Sequence, residues 1–156
     1  MSGAPPISKY VTCAGWEIHY LEWGAPDLPP ILAWHGLARV GRDFDVLAQE
    51  LSNNFRIIAP DTIGRGFSQW SEDGDSDYCF EVYEKIVTDL CQFLGIEKLG
   101  WIGTSMGGAF GIWAAGGFLK ERITHLVIND IGPELPRDAT ERIVKYVGNP
   151  QNFIPS

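Results

Sequence analysis

Short apolar runs alternate with helix-patterned stretches along most of this chain, and that alternation constrains the fold more than any other feature. Strand-like runs joined by helical crossovers build a largely parallel sheet with helices packed on its faces. Ile31-Leu32-Ala33-Trp34, Arg56-Ile57-Ile58-Ala59, Leu99-Gly100-Trp101-Ile102 and the stretch around Leu126-Val127-Ile128 are mainly continuous apolar runs. That is the pattern of strands buried on both faces. Ahead of them, residues 9–13 and 16–23 flank Ala14-Gly15 and predict a hairpin at one sheet edge. Between the runs, Phe44, Leu47, Ala48 and Leu51 recur at helical spacing. Val82, Ile86, Leu90 and Leu94 do the same at i, i+4, i+8 and i+12, with Gly95 closing the helix. Residues 106 to about 118 are apolar nearly all round and predict a buried helix. The expected architecture is α/β, a mostly parallel twisted sheet of six strands with helices on both faces.

The strongest local signal is Gly103-Thr104-Ser105-Met106-Gly107-Gly108, with an apolar strand directly before it and a helix directly after. A serine that projects its hydroxyl from the tip of a strand sits where the chain reverses sharply. Side chains two residues before and two after would collide, so Gly103 and Gly107 are the residue type that fits. The helix beginning at Met106 aims its partial positive end at the same place, which favours an anionic intermediate. The motif therefore points to nucleophilic catalysis by Ser105.

Two further motifs follow strands. His35-Gly36 follows the third, and Asp61-Thr62-Ile63-Gly64-Arg65-Gly66-Phe67-Ser68 follows the fourth. With the bend around Ser105 after the fifth, the chain resembles the α/β-hydrolases, in the serine-nucleophile branch that carries a cap. The resemblance runs from about Trp16 to Pro133. It implies that the backbone N–H groups of Leu37 and Met106 form an oxyanion hole. It also implies that His35 and Gly36 shape that loop without doing chemistry, and that the Asp61 to Ser68 loop lies beside the pocket, with a contact from Arg65 to substrate left open. On this basis residues 1–133 correspond to the N-terminal part of the core and 134–156, charged and helical from about 139 to 147, to the start of a cap or lid.

A nucleophilic serine needs a base, and the base needs a carboxylate to orient it. The order expected in this fold is Ser, then Asp or Glu, then His. The chain has three histidines, His19, His35 and His125, and none follows the last candidate acid. His19 and His125 read as structural or solvent-facing. Asp130, just after the sixth strand, is a candidate acid, with the alternative that it tethers a neighbouring loop. The resemblance places the usual acid later, after a seventh strand, so the triad His and the acid are both expected outside these 156 residues, in a C-terminal part of the same protein acting as a separate piece. The isolated chain is accordingly expected to be inactive and poorly soluble, with an apolar strand edge exposed at the sixth strand.

The serine excludes, by resemblance, the branches that carry an Asp there, and leaves hydrolysis of carboxylic esters and related acyl compounds. The alternatives are cleavage of a carbon–carbon bond in an aromatic ring-cleavage product, for which Arg39 or Arg42 would supply a basic pocket group, and a non-catalytic ligand-binding role. The expected partner is a small-molecule substrate. A net charge of −8 lacks the basic stripe that nucleic acid requires. No apolar stretch reaches the roughly 20 residues of a membrane span. Neither a metal nor another cofactor is called for, since His/Cys clusters are absent and the glycine-rich bend lacks a phosphate-loop lysine. Three cysteines without metal spacing, and no signal-like start, point to the cytoplasm.

Overall fold

A computed structural model describes residues 4–132, 134 and 136–147 of the chain. In chain order the strands are β1 (Ile7–Cys13), β2 (Trp16–Trp23), β3 (Pro30–Trp34), β4 (Arg56–Pro60), β5 (Leu99–Thr104) and β6 (Ile123–Asn129). The helices are α1 (Asp45–Leu51), α2 (Gly74–Asp77), α3 (Phe80–Phe93), α4 (Met106–Gly116) and α5 (Arg137–Val147), with a 3-10 turn at Gly41–Phe44 leading into α1. The strands form one six-stranded sheet in the order β1-β2-β4-β3-β5-β6. The β1–β2 hairpin sits at one edge, β2 joins β4 antiparallel, and the pairs β4–β3, β3–β5 and β5–β6 are parallel.

Side chains on successive strand residues point to opposite faces, so each central strand feeds two cores. Leu32, Trp34, Ile58 and Trp101 pack with Ile86, Leu90 and Phe110 of α3 and α4 on one face. Ala33, Ile57 and Ala59 pack with Phe44 and Ala48 on the other. The α4 stretch, expected to be buried all round, is buried on one side only. Gly107, Gly108, Phe110, Gly111 and Ala114 face the sheet, while Ile112 and Trp113 are exposed because no further layer among the described residues covers them. The helix also stops short of 118, at the pair Gly116-Gly117.

The short α2 lies in the connection between β4 and α3, and its four residues carry no readable period. At the other sheet edge, β6 presents Val127 and Ile128 to solvent. The boundary expected near 133–136 falls partly on Pro133 and Leu135, and the tail from 148 to 156 follows; these lie outside the described residues. None of the described helices is long and apolar enough to cross a membrane.

Beneath β2, Glu22 is buried and accepts from Arg56 Nε at 2.6 Å and from Lys9 Nζ. Burial pushes its carboxyl up, but the hydrogen bonds from Lys9 and Arg56 outweigh that and hold it below the usual glutamate value. This trio ties β1, β2 and β4 together on the side away from the bend at Ser105.

Candidate active site

The parallel strands all deliver their C-terminal ends to one edge of the sheet, where ligands bind in open α/β sheets. Trp34 pairs with Gly103, Gly103 with Ile128 and Thr104 with Asn129, so the loops after β3, β5 and β6 emerge side by side. Ser105 stands at the β5–α4 junction with φ 52° and ψ −114°. A non-glycine residue in such a conformation carries roughly 1–3 kcal/mol of strain, which the surroundings must offset. Three backbone hydrogen bonds do so: Ser105 N–H donates to Asn129 C=O at 2.9 Å, and the N–H groups of Gly108 and Ala109 donate to Ser105 C=O at 2.9 and 3.0 Å. The hydroxyl makes no capping bond to its own helix, so α4 does not consume it.

The flanking glycines are required by close approach. A Cβ on Gly103 would lie 2.1 Å from the Gly107 carbonyl oxygen, and one on Gly107 only 1.9 Å from the Trp34 carbonyl oxygen. Below the bend, Trp101 Nε1–H donates to Gly107 C=O at 3.0 Å in a buried contact. Trp101 in turn stacks on Trp34, with ring centroids 5.8 Å apart and planes 12° apart. Residue spacing does not announce either tie, since Trp34 and Trp101 come together only when β3 and β5 pair.

Ser105 is half-buried and lines a cavity of about 500 Å³ together with Leu37, Phe80, Met106, Asp130 and Ile131. Leu37 and Met106 therefore border the same space as the serine. Among the described residues, neither of their N–H groups donates a hydrogen bond to another residue. The loop carrying Leu37 passes close to the serine: a Cβ on Gly36 would be 3.7 Å from Ser105 Cβ. Asp130 has φ 60° and an exposed side chain at the end of β6.

His35 is fully buried, and both its ring nitrogens are engaged. Nδ1 lies 2.7 Å from Gly36 C=O, and Nε2 accepts from Thr62 N–H at 2.9 Å. A nitrogen that accepts from a backbone amide carries no proton, so Nδ1–H is the donor to Gly36 C=O. That carbonyl shares its peptide plane with Leu37 N–H, and in a planar trans peptide the two point in opposite directions. Holding the carbonyl with His35 and with Arg39 N–H, at 3.2 Å, thereby sets where Leu37 N–H points.

Burial pushes the His35 pKa below its ordinary 6.5, so the imidazole stays neutral in the fold. The unfolded chain takes up a proton below about pH 6.5 that the folded chain refuses, so stability falls as the pH drops from there toward the folded pKa. Urea melts at pH 7.5 and 5.5 are expected to show this loss, approaching about 1.4 kcal/mol per pH unit. The loss should shrink in His35→Gln; an equal loss in both proteins would remove the account.

The other histidines lie elsewhere. His19 is buried, with Nδ1 2.8 Å from Asp61 Oδ2 and Nε2 2.8 Å from Ser8 Oγ. His125 is exposed near the start of β6, opposite the serine edge, and lines a separate apolar cavity with Pro30, Phe55 and Leu99. Asp61 also accepts from Gly41 N–H at 2.7 Å and Phe67 N–H at 3.0 Å, which holds the 61–68 loop from within. Arg39 and Arg42 are exposed and paired with Asp43 and Asp45. Cys13, Cys79 and Cys91 are free. Burial pushes the Cys13 thiol up to about 11 and raises Cys91 as well, so neither is a ready thiolate.

Comparison with known proteins agrees with this geometry. The model of the alpha/beta hydrolase fold family matches residues 29–154. The chain is 41% identical over 98% of its length to a 3-hydroxybutyrate-oligomer hydrolase of Cupriavidus necator, of which it covers 53%. It is 29% identical over 92% of its length to a bifunctional esterase/perhydrolase of Acinetobacter calcoaceticus, of which it covers 49%. A crystal structure of an alpha/beta hydrolase from Novosphingobium aromaticivorans superimposes with a TM-score of 0.83 at 36% identity, over 93% of this chain and 51% of that one. The chain thus spans about half the length of these relatives. With the strand order, the strained serine bend and the family match in agreement, the chain belongs to the alpha/beta hydrolase fold family.

Proposed function

We propose that the chain carries the nucleophile half of a serine hydrolase that cleaves carboxylic esters of small molecules through an acyl-enzyme. The observation that carries this reading is Ser105 itself. It is held at φ 52° on a strand-to-helix bend, its hydroxyl is unused by the helix, and it borders one cavity with Leu37 and Met106. Ser105 Oγ adds to the ester carbonyl carbon while its proton passes to a histidine base. The N–H groups of Leu37 and Met106 receive the oxyanion. The tetrahedral intermediate then collapses, the base protonates the departing alkoxide, and water repeats the sequence on the acyl-serine to release the acid. Removing one such preorganised donor lowers kcat about 10²–10³-fold in a well-studied protease.

The base is not His19, His35 or His125, which are occupied or distant. It comes from a C-terminal part of the same protein outside these 156 residues. That part completes the site, and the chain alone does not turn over. Asp130, on the cavity wall, is the acid candidate within the chain, and α5 with the residues from 134 begins the cap. The relative from Cupriavidus necator is named for 3-hydroxybutyrate oligomers, which makes short oligoesters of hydroxy acids the first substrates to try. Both arginines that would favour carbon–carbon cleavage are paired with neighbouring carboxylates, so the ester reading stands ahead. The free cysteines suit a reducing, cytoplasmic setting.

Reaction of the intact protein with a fluorophosphonate probe, followed by peptide mass mapping, is expected to place the label on Ser105. A protein that turns over 3-hydroxybutyrate oligomers while labelled elsewhere, or an unlabelled protein without turnover, would oppose the proposal; the latter would favour a ligand-binding role.

A further inference from the structure

We infer that Arg65 is a positioning residue for the oxyanion hole, an inference that rests on the functional reading just given. Arg65 lies half-buried between Gly64 at φ 76° and Gly66 at φ 52°. Its Nε–H donates to Leu37 C=O at 2.9 Å, across 28 residues of chain. Nη1 donates to Ile63 C=O at 2.9 Å and to Tyr83 Oη at 3.0 Å. The guanidinium carbon lies 5.1 Å from the ring centroid of Tyr78, and Gly64 is what lets that ring come close, since a Cβ there would lie 2.4 Å from it. Among the described residues no carboxylate forms a salt bridge with Arg65. A cation whose hydrogen bonds go to neutral carbonyls and a phenol is held for geometry or for its field, not for an ion pair.

Asp61 and Ser68 also fasten the 61–68 loop, through bonds that do not involve Arg65. Asp61 takes Gly41 N–H, Phe67 N–H and His19, and Ser68 Oγ donates to Asp61 C=O at 2.6 Å. Besides its bonds to Ile63 and Tyr83, Arg65 adds a tie that leaves the loop and reaches Leu37. The peptide before Leu37 is fixed through Gly36 C=O by His35 and Arg39 N–H. The peptide after it is fixed through Leu37 C=O by Arg65. Leu37 is thereby clamped on both sides, and its N–H holds one direction before any substrate arrives. Preorganised donors of this kind act in the transition state, and misplacing one by about 1 Å can cost 10²-fold in rate.

The test compares Arg65→Met, Arg65→Lys and Ser105→Ala in the intact protein with p-nitrophenyl butyrate. Arg65→Met is expected to lower kcat about 10- to 100-fold with KM within threefold, in a protein that is still fully folded at the assay temperature. Arg65→Lys, which keeps the charge and one donor, is expected to recover part of the loss. Affinity for a trifluoromethyl ketone, which forms the oxyanion on the enzyme, should fall in step with kcat, whereas inhibition by butyrate should not change. A wild-type kcat in Arg65→Met overturns the inference. So does a loss matched by the fraction unfolded, or a raised KM at constant kcat, which would mark a substrate contact. If Arg65→Met does not fold, Arg65→Lys decides by the same split of kcat from KM. Full turnover by Ser105→Ala removes the functional reading itself; its loss there beside a normal Arg65→Met removes only this inference.

Discussion

Replacing Ser105 by alanine is expected to lower ester turnover by the intact protein at least a thousandfold and to abolish fluorophosphonate labelling, while the fold persists. In a serine protease, deletion of the nucleophile lowers kcat by about 10⁶, with residual rate supplied by oxyanion donors and binding. The backbone strain at φ 52° belongs to the bend and not to the hydroxyl, so alanine inherits it unchanged. The three backbone hydrogen bonds that hold the bend do not involve the side chain and survive the substitution. The melting temperature should therefore hold within a few degrees. A variant that keeps more than a tenth of the activity would place the chemistry on another group.

The second large effect concerns stability. Glu22→Ala is expected to destabilise the protein by about 3 kcal/mol in urea melts at neutral pH, because it leaves the Arg56 guanidinium buried without its carboxylate. Lys9 is partly exposed and can turn to water, so most of the loss is assigned to Arg56. Glu22→Leu combined with Arg56→Met, which removes both charges and keeps the volume, should recover most of it. The carboxyl is held below its ordinary value in the fold, so its contribution is present above the unfolded pKa and disappears as the pH falls through the folded one. A single-variant loss under 1 kcal/mol would show that the trio is an incidental surface cluster.

How much of this was legible beforehand depended on the reach of each interaction along the chain. Buried strands such as 31–34 and 56–59 announce themselves because both faces must be apolar. The serine bend announces itself because close backbone approach leaves only glycine at 103 and 107. The 3-10 turn at Gly41–Phe44 and the four-residue α2 are too short to show a period. Pairs that meet only after folding left no local mark: His19 with Asp61 across 42 residues, Arg56 with Glu22 across 34 and Arg65 with Leu37 across 28. Such contacts depend on strand order, which spacing alone does not give. The exposed flank of α4 had the same origin, since an apolar helix reads as buried whether or not a second layer exists to cover it.

The indole of Trp101 has a consequence for how this protein can be altered. One ring is shared between interior packing and the footing of the bend that carries Ser105, through its bond to Gly107 C=O. A swap for another bulky apolar residue would conserve volume yet release that carbonyl, leaving the bend to its backbone hydrogen bonds alone. Under the proposed function, heat tolerance and turnover both draw on that single side chain, and variation that improves one must work around the other.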